Sequence, residues 1–456
     1  MSENLVEIGR KVVRYAKKLG ADEAEAYVTT LKLTKVKCSK RNDISIRSGT
    51  ITGIGIRVFV KKSVGFSSIS SLSPKQVNYA TKKAIKSAKV TTPDRFWVSL
   101  PYPQKSIKRQ FYNQDDKMDF SEILEILDQK TKKLEKASKI RKSLKHYTMQ
   151  MENVINSTCI CNTNDVEAFD RGTSTKFSFL VTVKNACQEA TDSDFIISRS
   201  AKKTMQNMDE TISNTIDLAL KYLKAKKLKK VNVSPVILKN RIVAWFLLKL
   251  FVPNILASNL NNSIHKNRIG ETIASQHLDI IDDGLYKDGL YSGRFDAEGT
   301  PRQTTPVVQK GVLRHFLYDN YWSKKERVKN TGNATRGISS YPFTTPPFIW
   351  PSNLILKSTQ KSYKRLTEEV DQGVFLSGSL VGEGYADPLS GNFFVTCTGG
   401  FRIENGEITH PLAQFYCQGN FHEMLKKISI VGDDMRNFGR VICPSVYAEK
   451  LRLLPK

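Results

Sequence analysis

A chain of 456 residues, 40% of them apolar and 9% aromatic, is too long for one ordinary hydrophobic core and rich enough to fill two or three, which excludes wholesale disorder. Its formal charge is +27, with 45 Lys and Arg against 24 Asp and Glu in residues 1–240 and 26 against 20 in the rest. Such a field draws nucleic acid, anionic membrane or an acidic partner, yet no helix-turn-helix, zinc finger or aromatic RNA-binding strand accompanies it, so a solvated helix face is the simpler reading.

The opening residues lack the basic stretch and apolar core of a signal peptide, and a cytoplasmic location is expected. Residues 3–20 read as an amphipathic helix stopped by Gly20. Strand-like segments follow at Glu25–Cys38, Asp43–Ser48, Thr50–Val60 and Ser63–Ile69, with turns placed at Gly49 and Lys61-Lys62. Ser73-Pro74 starts a second helix over Lys75–Lys89. After a Pro- and Tyr-rich connection come a helix at Ser121–Ser143, short strands at Tyr147–Ile155, Val166–Phe169, Lys176–Val183 and Phe195–Ser200, and a helix at Asp209–Lys229. From Val231 the pattern changes. A helix at Asn240–Leu250 precedes short strands broken by Gly, Pro and Asn-Gly, and a last helix is expected at Asn420–Val431. Asn405-Gly406 between two apolar strands is a two-residue hairpin signal. The run Ile242–Ala257 is interrupted by Lys249 and Pro253 and falls short of the ~20 residues of a bilayer crossing, so no membrane is expected. The expected fold is α+β: an N-terminal mixed helix and antiparallel-sheet domain over 1–230, divisible at 1–95 and 115–230, then a β-rich, sandwich- or barrel-like domain over 231–456.

No self-contained catalytic constellation stands out. Zinc hydrolases need two histidines on one helix face. His422-Glu423 is followed by lysine where the second histidine belongs, and His146, His265, His277, His315 and His410 are isolated. Gly53-Ile54-Gly55 leads into a strand rather than the helix a dinucleotide loop requires, and Gly382-Glu383-Gly384 lacks the lysine of a P-loop. Asp279, Asp282, Asp283, Asp288, Asp296 and Glu298 form an acidic concentration that reads as turns. The seven cysteines are scattered, and Cys159 and Cys161 suit one face of one strand.

Ordered motifs carry more than any single residue. Phe295-Asp-Ala-Glu-Gly-Thr-Pro301, Val307-Val-Gln-Lys-Gly-Val-Leu313, Phe316-Leu-Tyr-Asp319 and Thr331-Gly332-Asn333-Ala334 with Arg336 follow one another. Gly399-Gly-Phe-Arg-Ile-Glu-Asn-Gly-Glu-Ile-Thr409 and Val431-Gly432-Asp433-Asp434 come later, and Gly53-Ile-Gly-Ile-Arg-Val58 precedes them all. In this order they resemble the TldD/PmbA family. The resemblance implies two kinds of subunit: one with an HExxxH helix and a late cysteine that hold zinc, and a PmbA/TldE-like one that lacks both and pairs with the first. The segment in the zinc-helix position is Phe251-Val-Pro-Asn-Ile-Leu-Ala-Ser258, and the late segment is Gly439-Arg-Val-Ile-Cys-Pro-Ser445; neither matches the zinc motifs.

The resemblance therefore implies a partner subunit with no metal or catalytic residues of its own, zinc being held by a TldD-like companion in a heterodimer that degrades or processes unfolded or extended peptides. Asp296, Glu298, Gly299, Gly332, Asn333, Asn405, Gly406 and Gly432 are the motif residues expected at structural or interface positions. Alternatives are a metallopeptidase in its own right, with a site from His265, His277 and the acidic concentration, a nucleic-acid-associated, gyrase-modulator-like basic protein, or a homodimer.

Overall fold

The computed structural model describes residues 2–40, 43–105, 107–109, 111–112, 116–137, 142–337, 341–358, 362–382 and 385–456. Period-two alternation in the first 200 residues builds one antiparallel sheet of six strands: β1 (Glu23–Ser39), β2 (Asp43–Val60), β3 (Ser63–Ile69), β4 (Leu144–Asn162), β5 (Glu167–Lys184) and β6 (Glu189–Ser198). Their order is β3-β2-β1-β4-β5-β6. Helices α1 (Ser2–Lys18) and α2 (Pro74–Val90) pack at one end of the long strands, and α3 (Phe120–Lys136), α4 (Ala201–Gln206) and α5 (Met208–Tyr222) at the other.

One strand serves both helical layers because alternate side chains share a face. Tyr147, Met149 and Met151 of β4 enter the core under α3 and α5, while Cys159 and Cys161 enter the core under α1. The two thiols lie side by side at 3.7 Å, as the strand spacing suggests. The opposite face of the sheet is turned to the second half of the chain: Tyr27 of β1 and Ile160 of β4 pack against Phe343.

Every strand from β7 (Asn232–Leu238) onward belongs to other sheets. β7 pairs in parallel with Gln372–Leu376 and antiparallel with Val446–Pro455 inside a nine-stranded sheet. A six-stranded sheet containing Ile280–Asp283, Thr304–Gln309, Leu354–Leu356 and Val441–Cys443 shares a core with it around α6 (Asn240–Phe246) and the wider π turn Leu247–Phe251. Phe246, Leu250 and Phe251 are almost wholly buried there, each worth about 1.5–3 kcal/mol of transfer free energy. The architecture is thus α+β, with a curled, β-rich second half.

Several boundaries differ from the sequence reading. Gly49 makes no turn: β2 runs through it in unbroken register with β1, from Phe59 opposite Glu23 to Asp43 opposite Ser39. Of the short strands expected after residue 147, Tyr147–Ile155 is part of the 19-residue β4, and Val166–Phe169 and Lys176–Val183 belong to the single 18-residue strand β5, because polar residues on the open face mimic turns; Phe195–Ser200 falls on the end of β6. The lysine-rich end of the helix expected to reach Lys229 is not helical. Lys226 donates its N–H to Pro411 O and accepts from Ala413 N, which pins that segment to a strand end. The helix expected at Asn420–Val431 stops at Lys426, and β-branched Ile428–Val431 pairs instead with Val446–Ala448. Residues 138–141 of the expected third helix, and 383–384 of Gly382-Glu383-Gly384, lie outside the described residues.

The hairpin at Asn405-Gly406 forms where its turn chemistry places it, with φ of 52° and 76°, the left-handed pair that a type I′ turn demands.

Candidate functional site at the junction of the two halves

β1 and β2 each present one charged side chain to the junction. Glu25 sits among Ala24 and Ala26, whose side chains face the helices, and Arg57 lies between Ile56 and Val58 in the same way. Arg57 Nη2 donates to Glu25 Oε2 at 2.9 Å and to Glu298 Oε1 at 2.7 Å. Arg336 closes the group by donating to Glu25. All four side chains are buried. Burial opposes the Arg57 charge, but Glu25 and Glu298 outweigh it and hold its pKa above the ordinary arginine value. Glu298 Oε2 also accepts the Asn320 N–H at 3.0 Å.

Asp296 organises the turn that delivers Glu298. Its Oδ1 accepts the N–H groups of Glu298 and Thr300 at 2.9 and 3.0 Å, and its Oδ2 that of Ala334 at 3.1 Å. Burial, then the nearby Glu298 charge, pushes its carboxyl up to about 7. Gly299 and Gly332 adopt φ of +87° and +69°, and a Cβ on them would lie 2.6 Å from Val166 Cγ1 and Pro301 O. Asn333 donates to Asp282 Oδ2 at 2.6 Å, and Ser352 donates to the same oxygen at 2.7 Å. Asp282 is therefore a buried strand residue, not the turn residue expected; Asp283, which accepts Leu285 N and Thr304 Oγ1, is the turn former. Glu298 does lie on the turn expected, and its carboxylate is buried in an ion pair.

Five of the eight motif residues thus gather at the junction. Asn405, Gly406 and Gly432 do not. The hairpin packs its N–H groups on Asp371 O and Val370 O, and Gly432 lies against Asp434 and Ser445. Glu25 carries no sequence signal as a junction residue apart from being a charge between two alanines. Gly53 and Gly55 are explained here too: a Cβ on Gly53 would lie 2.4 Å from the Phe343 ring, and one on Gly55 2.5 Å from the Phe343 carbonyl oxygen. They admit the second half against the sheet.

Beside the ion network opens a cleft of ≈ 430 Å³ with aromatic walls. Phe59 stacks on Trp97 at 3.6 Å, and Tyr321, Trp322 and Phe348 add to the lining. Asp319 and Ser258 border it. Asp319 caps the helix Asn320–Glu326 through Trp322 N at 2.9 Å. Burial and then Glu298 push its carboxyl up to about 8.

Ser258 ends the segment that the family resemblance equates with the zinc helix. It is not an α-helix: after the π turn come the single 3-10 turns Val252–Asn254 and Ala257–Asn259. Phe251, Val252, Ile255 and Ala257 are fully buried, Asn254 donates to Leu250 O at 3.0 Å, and its carbonyl accepts from Ser263 Oγ. Zinc takes thiolate, imidazole or carboxylate ligands, so these residues do not fit it. Cys443 donates to Asn240 O at 3.2 Å, and burial pushes its thiol well up. His265 does not meet His277, which is exposed; its ring packs edge-on to that of His422 at 5.1 Å. Among the described residues no three His, Cys, Asp or Glu side chains gather as a metal site.

Sequence models of two domains of one family match this chain: PmbA/TldA metallopeptidase domain 1 over residues 24–88 and the C-terminal domain over residues 232–454. The chain belongs to the PmbA/TldD metallopeptidase family. Within it, a metalloprotease TldD homolog of Buchnera aphidicola is 27% identical over 410 residues, 86% of this chain and 81% of that one. A metalloprotease PmbA homolog of Haemophilus influenzae is 24% identical over 455 residues, 97% and 94%. TldE from Thermococcus kodakarensis superposes with a TM-score of 0.86 at 22% identity, covering 98% of this chain and 100% of that one, and has the same fold. The first family domain spans Glu25 and Arg57, and the last spans Glu298 and Arg336, so the buried network ties one family domain to the other. Among the described residues no helix is long and apolar enough to cross a membrane.

Proposed function

We propose that this chain is the TldE-type partner of a zinc-carrying, TldD-like subunit, and that the two together form a cytoplasmic peptidase acting on unfolded or extended peptides. The observation that carries the reading is the segment 251–259: where a metallopeptidase of this family needs a zinc-binding helix, the chain puts apolar side chains into its core. Loss of all ligands together removes the metal, because an isolated donor binds too weakly to matter. Zinc is then held by the companion.

The aromatic cleft gives this subunit a role in substrate handling. It lies beside β3, an end strand of its sheet, whose Val64 and Phe66 help to line it. An extended peptide adds to such an edge by main-chain hydrogen bonds and drops apolar side chains into the neighbouring pocket, a mode tolerant of sequence. Affinity purification of the tagged chain from its native host tests the pairing. Recovery of an HExxxH-bearing companion, with peptide cleavage requiring both chains, is expected; recovery of the chain alone or as a homodimer, or cleavage by it alone, refutes the reading.

A further inference from the structure

A second cleft, of ≈ 420 Å³, opens on the far side of the ion network, between the face of the first sheet and the turns of the second half. Five arginines line it: Arg171, Arg199, Arg302, Arg336 and Arg440. Only Arg336 has a carboxylate partner, Glu25, among the described residues. Arg199 is held by main-chain carbonyls of Phe111, Gly289, Leu290 and Ser292. Arg302 donates to Gly332 O at 3.2 Å. Arg440 donates to Pro351 O at 2.6 Å and to Thr335 Oγ1, and stacks on the Tyr291 ring at 3.7 Å. Arg171 lies over the Tyr112 ring at 3.9 Å.

Carbonyls and rings fix a guanidinium in place without neutralising it. The carboxylates of the same lining are already occupied: Asp170 by Arg294, Glu152 by Lys35 and Asp296 by three backbone N–H groups. Burial, together with the repulsion of Arg302, draws the pKa of both Arg199 and Arg440 down to about 10, even though Asp170 and Asp282 lie near enough to oppose it. Two donors are left over. Arg440 is more than nine-tenths buried and its Nε has no partner, and the Nε of Arg171 is likewise buried and unpartnered. Repelling cations held rigidly around a cavity, with unspent N–H donors, make a receptor for a planar anion, since guanidinium forks match the two oxygens of a carboxylate.

We propose that this cleft binds a carboxylate group of a peptide, either its C-terminal carboxylate or an acidic side chain, with Arg302 and Arg171 supplying the reachable donors and Arg440 the floor. The anion follows from the cleft itself; that it belongs to a peptide rests on the function proposed above. Titration calorimetry on the purified full chain at low salt tests it with a short neutral peptide bearing a free C-terminus, the same peptide amidated, the amidated peptide with one internal glutamate, and inorganic phosphate.

Binding of the free acid or of the glutamate peptide, but not of the neutral amide, is expected, and whichever binds identifies the source of the carboxylate. Arg302→Gln and, as a second position, Arg171→Gln should each weaken it about tenfold to a hundredfold while the thermal melt stays cooperative. Equal binding of acid and amide, binding of phosphate alone, no binding at all, or full affinity in both folded variants overturns the proposal. The measurement needs no companion subunit, so failure of the pairing reading shows in the affinity purification and failure of this one in the titration.

Discussion

Arg57 of β2 donates to Glu298 across 241 residues of sequence at 2.7 Å, and both side chains are buried. A charge inside a protein is tolerated when it is matched, and here one guanidinium is matched by a carboxylate from each half of the chain. Arg57→Met leaves Glu298 and Glu25 without it. Removing one partner of a buried pair costs about 3–5 kcal/mol, and urea unfolding of the full chain should register a loss of that size. Replacement of Arg10, whose pair with Glu167 is exposed, should leave the urea midpoint almost unmoved.

Asp319 and Asp296 give the junction a pH dependence. The folded chain keeps protons on them up to about 8 and about 7, whereas an unfolded chain releases them near pH 4. Their contribution to stability is full below that value and is lost as pH rises through 7 and 8. Asp319→Asn retains an oxygen for Trp322 N and cannot ionise. Its melting temperature should fall less between pH 6 and 9 than that of the natural chain; parallel curves would refute the assignment.

Opposite behaviour is expected on the acid side. Burial, and for His265 also the neighbouring His422, lowers the two imidazoles to about 3 and about 4. An unfolded chain protonates them near pH 6.5, so their share of the stability declines as pH falls below that point. His422→Phe should flatten the decline between pH 6.5 and 4 in a series of melts.

Two glycines of β2 separate close packing from strand propensity. Gly55→Ala places a methyl 2.5 Å from the Phe343 carbonyl oxygen and should cost about 1–3 kcal/mol. Gly49→Ala meets nothing within 4 Å and should be neutral or stabilising by up to about 1 kcal/mol. Thermal melts of the two variants side by side give the comparison.

These residues also show what the sequence discloses. Turn chemistry is local, so Asn405-Gly406 and the Lys61-Lys62 turn are legible, as are α1, α2 and β3 to within two residues. Gly49 looks like a break because glycine punctuates most sequences, but its neighbours across the sheet hold it in register. The family motif names Glu298 and Arg336, and nothing local marks Glu25 or Arg57 as their partners, because the pairing spans more than 240 residues and exists only once the halves meet. The arginine cleft is hidden for the same reason. Its five arginines stand far apart along a chain already full of positive charge.

Zinc analysis of the purified proteins reads out the proposed division of labour most directly. In the complex with its HExxxH-bearing companion, zinc should be stoichiometric with the companion and absent from this chain when the two are separated. Stoichiometric zinc that stays with this chain alone, together with chelator-sensitive peptide cleavage, would show a metallopeptidase in its own right.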